Sequence, residues 1–205
     1  MRLKTTVVAA ALAAIAVPAA VAGAQAANPM GLLLAKGDMP SGPYQKTQTL
    51  RPAQLKPEVL GRTASFGAKS AAYKAARTAT CAARYFTTTT ASGEKQAFSY
   101  VCVTKSAAEA AALTKAFVAK KAEFLKQPKV CGSASTGVQR GSGIFRWCPY
   151  KSGSSYWSTS FLGIWNSGTV VAVYAHDYPE IEKRPDLNDV LPGLRKLDAK
   201  IKAAV

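Results

Sequence analysis

One histidine and its neighbours are the residues best suited to acid–base chemistry. His176 is the single histidine of the chain, and Asp177 follows it directly. Histidine titrates near neutral pH and can act as a general base when an acid orients it. The charged residues that follow could complete the acid–base set of a secreted nuclease, namely Glu180, Glu182 and Arg184. Adjacent residues of a strand point to opposite faces, however, so the pattern favours a strand that ends at a polar turn.

The rest of the sequence has no recognisable catalytic, cofactor or metal motif. A Ser-His-Asp triad is spatial, but the GxSxG elbow that often presents its serine is absent. Gly141-Ser142-Gly143 is too short to predict a phosphate-binding loop. Four cysteines without a CxxC pair, together with one histidine, do not match a zinc site. We therefore favour a non-enzymatic protein without cofactor or metal, with a hydrolase that uses His176 as the alternative.

The start of the chain has the features of a secretory signal. Two cations precede an apolar core at Val7–Val17, and Ala24-Gln25-Ala26 fits the small-x-small cleavage pattern. An uncleaved membrane anchor is the alternative, although its alanine richness makes it weakly hydrophobic. We predict a signal peptide over residues 1–27 and a single domain over residues 28–205. That domain would be secreted and either extracellular or associated with the cell wall.

The four cysteines predict two disulfides, as is usual for a secreted protein with an even cysteine count. Four cysteines allow three connectivities. One hairpin centred near residues 91–92 would place Cys81 opposite Cys102, and another centred near residues 139–140 would place Cys131 opposite Cys148. We therefore predict the sequential pairing. Each bridge closes a short loop and should contribute roughly 3 kcal/mol.

Residues 156–177 are the stretch around which we expect the fold to be organised. Aromatic and β-branched residues fill two runs, which suits a pleated and partly buried surface. Asn166-Ser167-Gly168 between the runs tolerates the positive φ angles of a tight hairpin. The second run is nearly continuously apolar, so we predict a central strand that is covered on both faces.

Helix signals flank these strands. Ser106, with Glu109 three residues later, has the pattern of a capping box at the start of a helix. Asp186 or Asp189 can cap a closing helix, which tolerates Pro192 in its first turn. We predict an α+β fold with an antiparallel sheet of about five or six strands and helices packed on one face.

Aromatic residues near the central strands are candidates for a ligand-binding pocket. Binding clefts are often lined by large aromatic side chains. The alternative is that these rings fill the core between sheet and helices, as strand aromatics commonly do. The candidate binding residues are Trp147, Tyr156, Trp157 and Trp165.

Positive charge is concentrated in the first part of the chain. Between Lys36 and Lys151 there are 19 Lys and Arg residues and five acids, whereas the chain from Ser152 onward has six of each. Such a field attracts polyanions. The candidate partners are an anionic cell-wall polymer, an acidic lipid or a small ligand, and a merely solvated surface is the alternative. No specific nucleic-acid-binding motif is present.

The order of these features resembles a known family. Leu32-Leu33-Leu34 is followed by Asp38–Gly42, then a strand runs into the Ser106–Ala110 helix, then come the pair Cys131 and Cys148, a hairpin from Gly163 to Tyr174, and an amphipathic closing helix. This arrangement resembles the extracellular sensor-like domains of some bacterial serine/threonine kinases and their free secreted relatives. The resemblance implies an antiparallel sheet backed by helices, a cleft for an unidentified ligand and no catalysis. We therefore predict a secreted binding or sensor-like protein at the cell surface.

Overall fold

The computed structural model describes residues 27–39, 46–50, 70–90, 93–119, 121, 132–139, 141–152, 156–181 and 186–205. All of the predicted signal peptide except Ala27 lies outside these ranges, so its cleavage stays a prediction.

The described strands form one antiparallel sheet in the order β1-β2-β3-β7-β6-β5-β4. Six longer strands and one two-residue strand agree with the predicted α+β class and its antiparallel sheet. The strands are β1 (Lys46–Leu50), β2 (Thr80–Thr90), β3 (Gly93–Val103), β4 (Gly132–Ser133), β5 (Ile144–Ser152), β6 (Tyr156–Ser167) and β7 (Val170–Ile181).

Strand β7 is the centre of the sheet. It pairs with β3 on one side and with β6 on the other, and its residues 170–176 are all buried. The predicted central strand is therefore confirmed. The loop that joins β6 to β7 is Gly168-Thr169, and Gly168 adopts a φ of 51° there, which glycine tolerates without strain.

Four helices with described bounds accompany the sheet: α1 (Pro29–Leu32), α2 (Ala71–Thr78), α3 (Ala107–Ala119) and α4 (Leu191–Lys202). Ser106 Oγ accepts a hydrogen bond from the Glu109 amide at 3.2 Å, as the capping pattern predicts. Asp186 caps the short 3₁₀ turn that leads into α4, and Pro192 lies in the first turn of that helix. Both helix starts were therefore readable from the sequence.

Helices lie on both faces of the sheet, so the prediction of helices on one face was wrong. The ring of Phe117 from α3 meets Tyr100 edge-on, with ring centroids 6.1 Å apart. On the other side, the space above Gly163 is filled by Phe145 of β5 and by Leu194 of α4. Tyr100 and Gly163 pair with adjacent residues of β7, and adjacent strand residues face opposite sides. The physical reason is the apolar character of β7, which must be covered on both faces.

The predicted disulfide between Cys81 and Cys102 is confirmed, and the two residues lie directly opposite each other in the β2–β3 pair. The second predicted bridge, between Cys131 and Cys148, is not tested. Cys131 lies outside the described residues and the side chain of Cys148 is not described. Their neighbours Gly132 and Trp147 are paired between β4 and β5.

Gly141 and Gly143 serve the entry into β5, which accounts for the Gly-Ser-Gly pattern. Gly141 has a φ of 49°, in the left-handed region that favours glycine. A Cβ atom on Gly143 would overlap the carbonyl oxygen of Ile164 on the neighbouring strand. The pattern therefore has a structural explanation that does not involve phosphate.

Residues 27–39, which we call the N-terminal strap, are tied across the same face of the sheet as α4. Arg84 Nη1 donates to the Leu34 carbonyl at 2.7 Å, and the Leu34 amide donates to Ser99 Oγ at 3.4 Å. Lys200 of α4 donates to the Leu33 carbonyl at 2.9 Å and forms an ion pair with Asp38 at 2.8 Å. The strap is therefore held both by the sheet and by the closing helix.

The ion pair at Asp38 predicts a pH-dependent contribution to stability. Partial burial tends to raise the pKa of Asp38, but hydrogen bonds from Lys200 and the Ala35 amide, with the charges of Lys200 and Lys196, outweigh it and lower the pKa. An aspartate whose pKa is lowered by folding stabilises the fold above its unfolded pKa of roughly 3.9. This stabilisation disappears as the pH falls through the lower folded pKa.

We therefore expect Asp38→Asn to lower the urea midpoint near neutral pH and to converge with the wild type once the pH falls below the lowered pKa of Asp38. Asp189→Asn is the matched control, because Asp189 is exposed and has no ion pair with another described residue. An unchanged midpoint for Asp38→Asn near neutral pH would contradict the stabilising role of this pair.

Candidate functional site

The structure separates the side chains of the histidine–acid pair. His176 is 1% exposed and shares a sheet face with its pairing partners Ala97 and Phe161. Asp177 points to the other face, where its carboxylate accepts a hydrogen bond from Ser160 Oγ at 3.2 Å. Asp177 therefore does not orient His176. Of the other members of the set, the side chain of Glu180 is not described, and residues 182 and 184 lie outside the described chain.

The aromatic candidates divide between the core and positions whose side chains are not described. Trp165 is 0% exposed, and its ring lies 5.7 Å from that of Phe145. Trp147 is half-buried on β5, and Tyr156 and Trp157 lie on β6 with side chains that are not described. The binding role of these residues stays a prediction, and for Trp165 it would require the core to open.

A cleft of about 760 Å³ lies at one end of the sheet. We call it the sheet-end cleft. It opens where β2 begins, where β3 ends and where β6 turns into β7, between the start of the N-terminal strap and the end of α4. Its central lining residues are Thr80, Val103, Thr104, Lys105, Gly168 and Thr169.

Hydrogen bonds fix the wall of the cleft. The Thr104 amide donates to the Thr169 carbonyl at 2.9 Å, and Thr104 Oγ1 lies 2.8 Å from the same oxygen and 2.9 Å from the Ser106 carbonyl. This threonine thereby ties the β6–β7 loop to the start of α3. Thr80 is exposed and Thr169 is half-buried, so both present hydroxyl groups beside this fixed wall.

The disulfide braces the same end of the sheet. Thr80 pairs with Val103, and the next pair inward is Cys81 with Cys102. The Tyr100 hydroxyl, whose pKa is raised by burial, lies 2.9 Å from Cys102 Sγ, and it must be the donor because a disulfide sulfur carries no hydrogen. The strands that frame the cleft are therefore covalently joined one residue from its wall.

The electrostatic character of the cleft comes from Lys105. This lysine is exposed and is the one charged side chain among the described residues that line the cleft. Val103 and Pro29 add apolar surface. The arrangement can hold a small molecule that carries a negative group and an apolar body.

No sequence pattern predicted this cleft, because its lining comes from separate segments. The strap, the end of α2, the ends of β2 and β3, the β6–β7 loop and the end of α4 all contribute. Threonines at strand ends are too common to single out. Strand patterns could locate the hairpin turns and the Cys81–Cys102 pair near the cleft, but not the other segments that line it.

The described chain has neither a metal-ligand cluster nor a membrane-spanning helix. No group of three or more His, Cys, Asp and Glu residues there could hold a metal ion. No described helix is long and apolar enough to cross a membrane.

Comparisons with known proteins leave the family open. No protein-family model matches the sequence, and no curated protein matches it. Among solved structures, the fold is similar to the extracellular domain of PknH from Mycobacterium tuberculosis, with a TM-score of 0.45 and 13% sequence identity over 88% of this chain and 100% of that chain. A likeness this weak carries no argument about function.

Proposed function

We propose that this protein is an extracellular, non-enzymatic binding protein of the sensor-like kind, and that the sheet-end cleft takes its ligand. The observation that carries the proposal is the cleft itself. Its volume of about 760 Å³ falls within the range of roughly 300–1,000 Å³ that is typical of small-molecule sites. Its wall is fixed by the hydrogen bonds of Thr104 and by the nearby disulfide. A fixed wall lowers the entropy cost of binding.

The lining favours a small organic anion. Lys105 supplies a positive charge, Thr80 and Thr169 supply hydroxyl groups, and Val103 and Pro29 supply apolar contact. A carboxylate or phosphate group could pair with the lysine while the apolar part of the ligand covers Val103. No acidic side chain is among the described lining residues, so Lys105 sets the charge of this part of the wall.

The extracellular setting is supported by two features. The disulfide between Cys81 and Cys102 joins buried residues, and such bridges persist mainly in oxidising compartments. The predicted signal peptide would export the chain to such a compartment.

The test is a fluorescence titration with 8-anilinonaphthalene-1-sulfonate, an organic anion with an apolar body. The protein should begin at Ala27 or Asn28, since a retained signal peptide would be attached at the wall of the cleft. We expect saturable binding, which Lys105→Gln weakens roughly three- to fivefold by removing a partly solvated ion pair. Thr80→Trp should weaken it more than about tenfold, because an indole would occupy the cleft.

Lys115→Gln is the matched control, because Lys115 is an exposed lysine on α3, the helix that follows Lys105, and lies outside the cleft. This control should bind the probe like the wild type. Equal weakening by both glutamine variants, or full binding by Thr80→Trp, would show that the probe binds elsewhere.

A further inference from the structure

The two helix layers of the protein differ in their charge. The first layer, which we call the α2–α3 layer, comprises residues 71–78 and 105–121, and α2 packs against α3 within it. Its described residues include five cations and one acid, namely Lys74, Arg77, Lys105, Lys115, Lys121 and Glu109. The opposite layer is formed by the N-terminal strap and residues 186–205. Its five cations are nearly balanced by four acids, namely Asp38, Asp186, Asp189 and Asp198.

Ion pairs make the two layers differ further in the positive charge that they offer to a partner. On the opposite layer, Lys200 pairs with Asp38 at 2.8 Å and Lys202 with Asp198 at 2.7 Å. On the α2–α3 layer, no ion pair joins two described residues. The carboxylate of Glu109 instead accepts a hydrogen bond from the Lys105 amide at 3.0 Å. Arg77 lies over the Tyr73 ring, 5.9 Å from the ring centroid, a contact that leaves its charge unneutralised. The cations of the α2–α3 layer are therefore available to a partner.

Several exposed residues of this layer have small side chains. The exposed residues Ala71, Ala107, Ala108 and Ala119 have small side chains, which let an extended polymer come close to the helices. The one exposed large apolar side chain in the described chain is Val205, which lies outside this layer. Surfaces that bind the membrane interface insert large apolar side chains between their cations. The α2–α3 layer therefore fits a soluble polymer better than a bilayer.

We propose that the α2–α3 layer is a docking surface for a linear polyanion with repeated phosphate or carboxylate groups. This surface meets the sheet-end cleft at Thr78 and Lys105, and its other four cations, Lys74, Arg77, Lys115 and Lys121, lie outside the cleft. Lysines and arginines that neutralise the charges of a polymer release its counterions, so binding should weaken steeply with salt. For about four contacts, the slope of log K against log salt concentration should be about −3.

The experiment measures the affinity of the full processed chain for long-chain inorganic polyphosphate and for poly-L-glutamate at several salt concentrations. The variant Lys74→Gln with Arg77→Gln removes two exposed cations from α2 and keeps polar side chains. We expect it to weaken binding roughly tenfold at low salt and to make the slope shallower by about 1.5. Lys115→Gln tests the same surface from α3, in case the double variant disturbs the short helix.

The matched control is Arg195→Gln with Lys196→Gln, which removes two exposed cations from α4 and changes the net charge equally. We expect this control to bind within about twofold of the wild type at each salt concentration. Equal losses in the two double variants would overturn the proposal, because net charge alone would then explain binding. Binding to phosphatidylglycerol vesicles without binding to either polymer would overturn it as well.

The cleft variant Thr80→Trp separates this proposal from the proposed function. It should bind polyphosphate like the wild type while losing the small anionic probe. Loss of polymer binding in Thr80→Trp would place the polymer in the cleft and overturn the α2–α3 surface.

Discussion

Replacing Trp165 with alanine is expected to lower the free energy of unfolding by about 3–5 kcal/mol. The ring of Trp165 is 0% exposed and packs beside Phe145 over Gly163, which has no side chain to fill the vacated space. Truncation would therefore leave a large cavity between the sheet and α4. Urea denaturation followed by circular dichroism measures the loss.

Two matched variants show whether Trp165 acts through packing. Trp165→Phe should cost only about 1–2 kcal/mol, because an apolar ring remains and the indole Nε1 has no hydrogen-bond partner among the described residues. Trp147→Ala should cost less than about 2 kcal/mol, because Trp147 is half-buried. If Trp165→Ala left stability intact and abolished binding of the anionic probe, the indole would be a ligand contact rather than part of the core.

Removing the bridge between Cys81 and Cys102 is expected to cost about 3 kcal/mol, the chain-entropy value for residues separated by 21 positions. Cys81→Ala with Cys102→Ala is the suitable variant, because both residues are buried and alanine leaves no polar group there. The variant should also weaken binding of the anionic probe, since the bridge joins the strands that frame the cleft one residue from Thr80 and Val103. Calorimetry and the fluorescence titration measure the two effects.

The stability loss in the double variant assumes that Cys81 pairs with Cys102. Peptide mapping of the non-reduced protein checks this pairing and identifies the second predicted bridge. If mapping links Cys81 to Cys131 or Cys148, the register of β2 and β3 is wrong. If the double variant is as stable as the wild type and binds the probe equally well, the bridge does not brace the cleft.

Local patterns placed the elements that depend on neighbouring residues. The capping of α3 by Ser106, the central position of β7 and the pairing of Cys81 with Cys102 all follow from short-range signals: a capping box, a continuous apolar run and the register of one hairpin. Each of these is decided within about twenty residues of sequence. They were therefore readable without knowledge of the tertiary fold.

Features that depend on the third dimension were not readable. The apolar stripe of α4 shows that the helix packs on something, but not on which face of the sheet it does so. The sheet-end cleft combines Asn28, Thr80, Thr104 and Thr169, which no local pattern links. The net positive charge was evident, whereas its concentration on the α2–α3 layer required the ion pairs of Lys200 and Lys202 on the opposite layer.

The most direct test of the binding account is a nuclear magnetic resonance titration of the processed, ¹⁵N-labelled protein with 8-anilinonaphthalene-1-sulfonate. The account predicts that the largest amide shift changes occur around the sheet-end cleft, at Thr80, Thr104, Lys105 and Thr169. Shift changes centred on Trp147 and its neighbours on β5, without changes at the cleft residues, would contradict the account. The ligand would then bind at the aromatic candidates Trp147, Tyr156, Trp157 and Trp165.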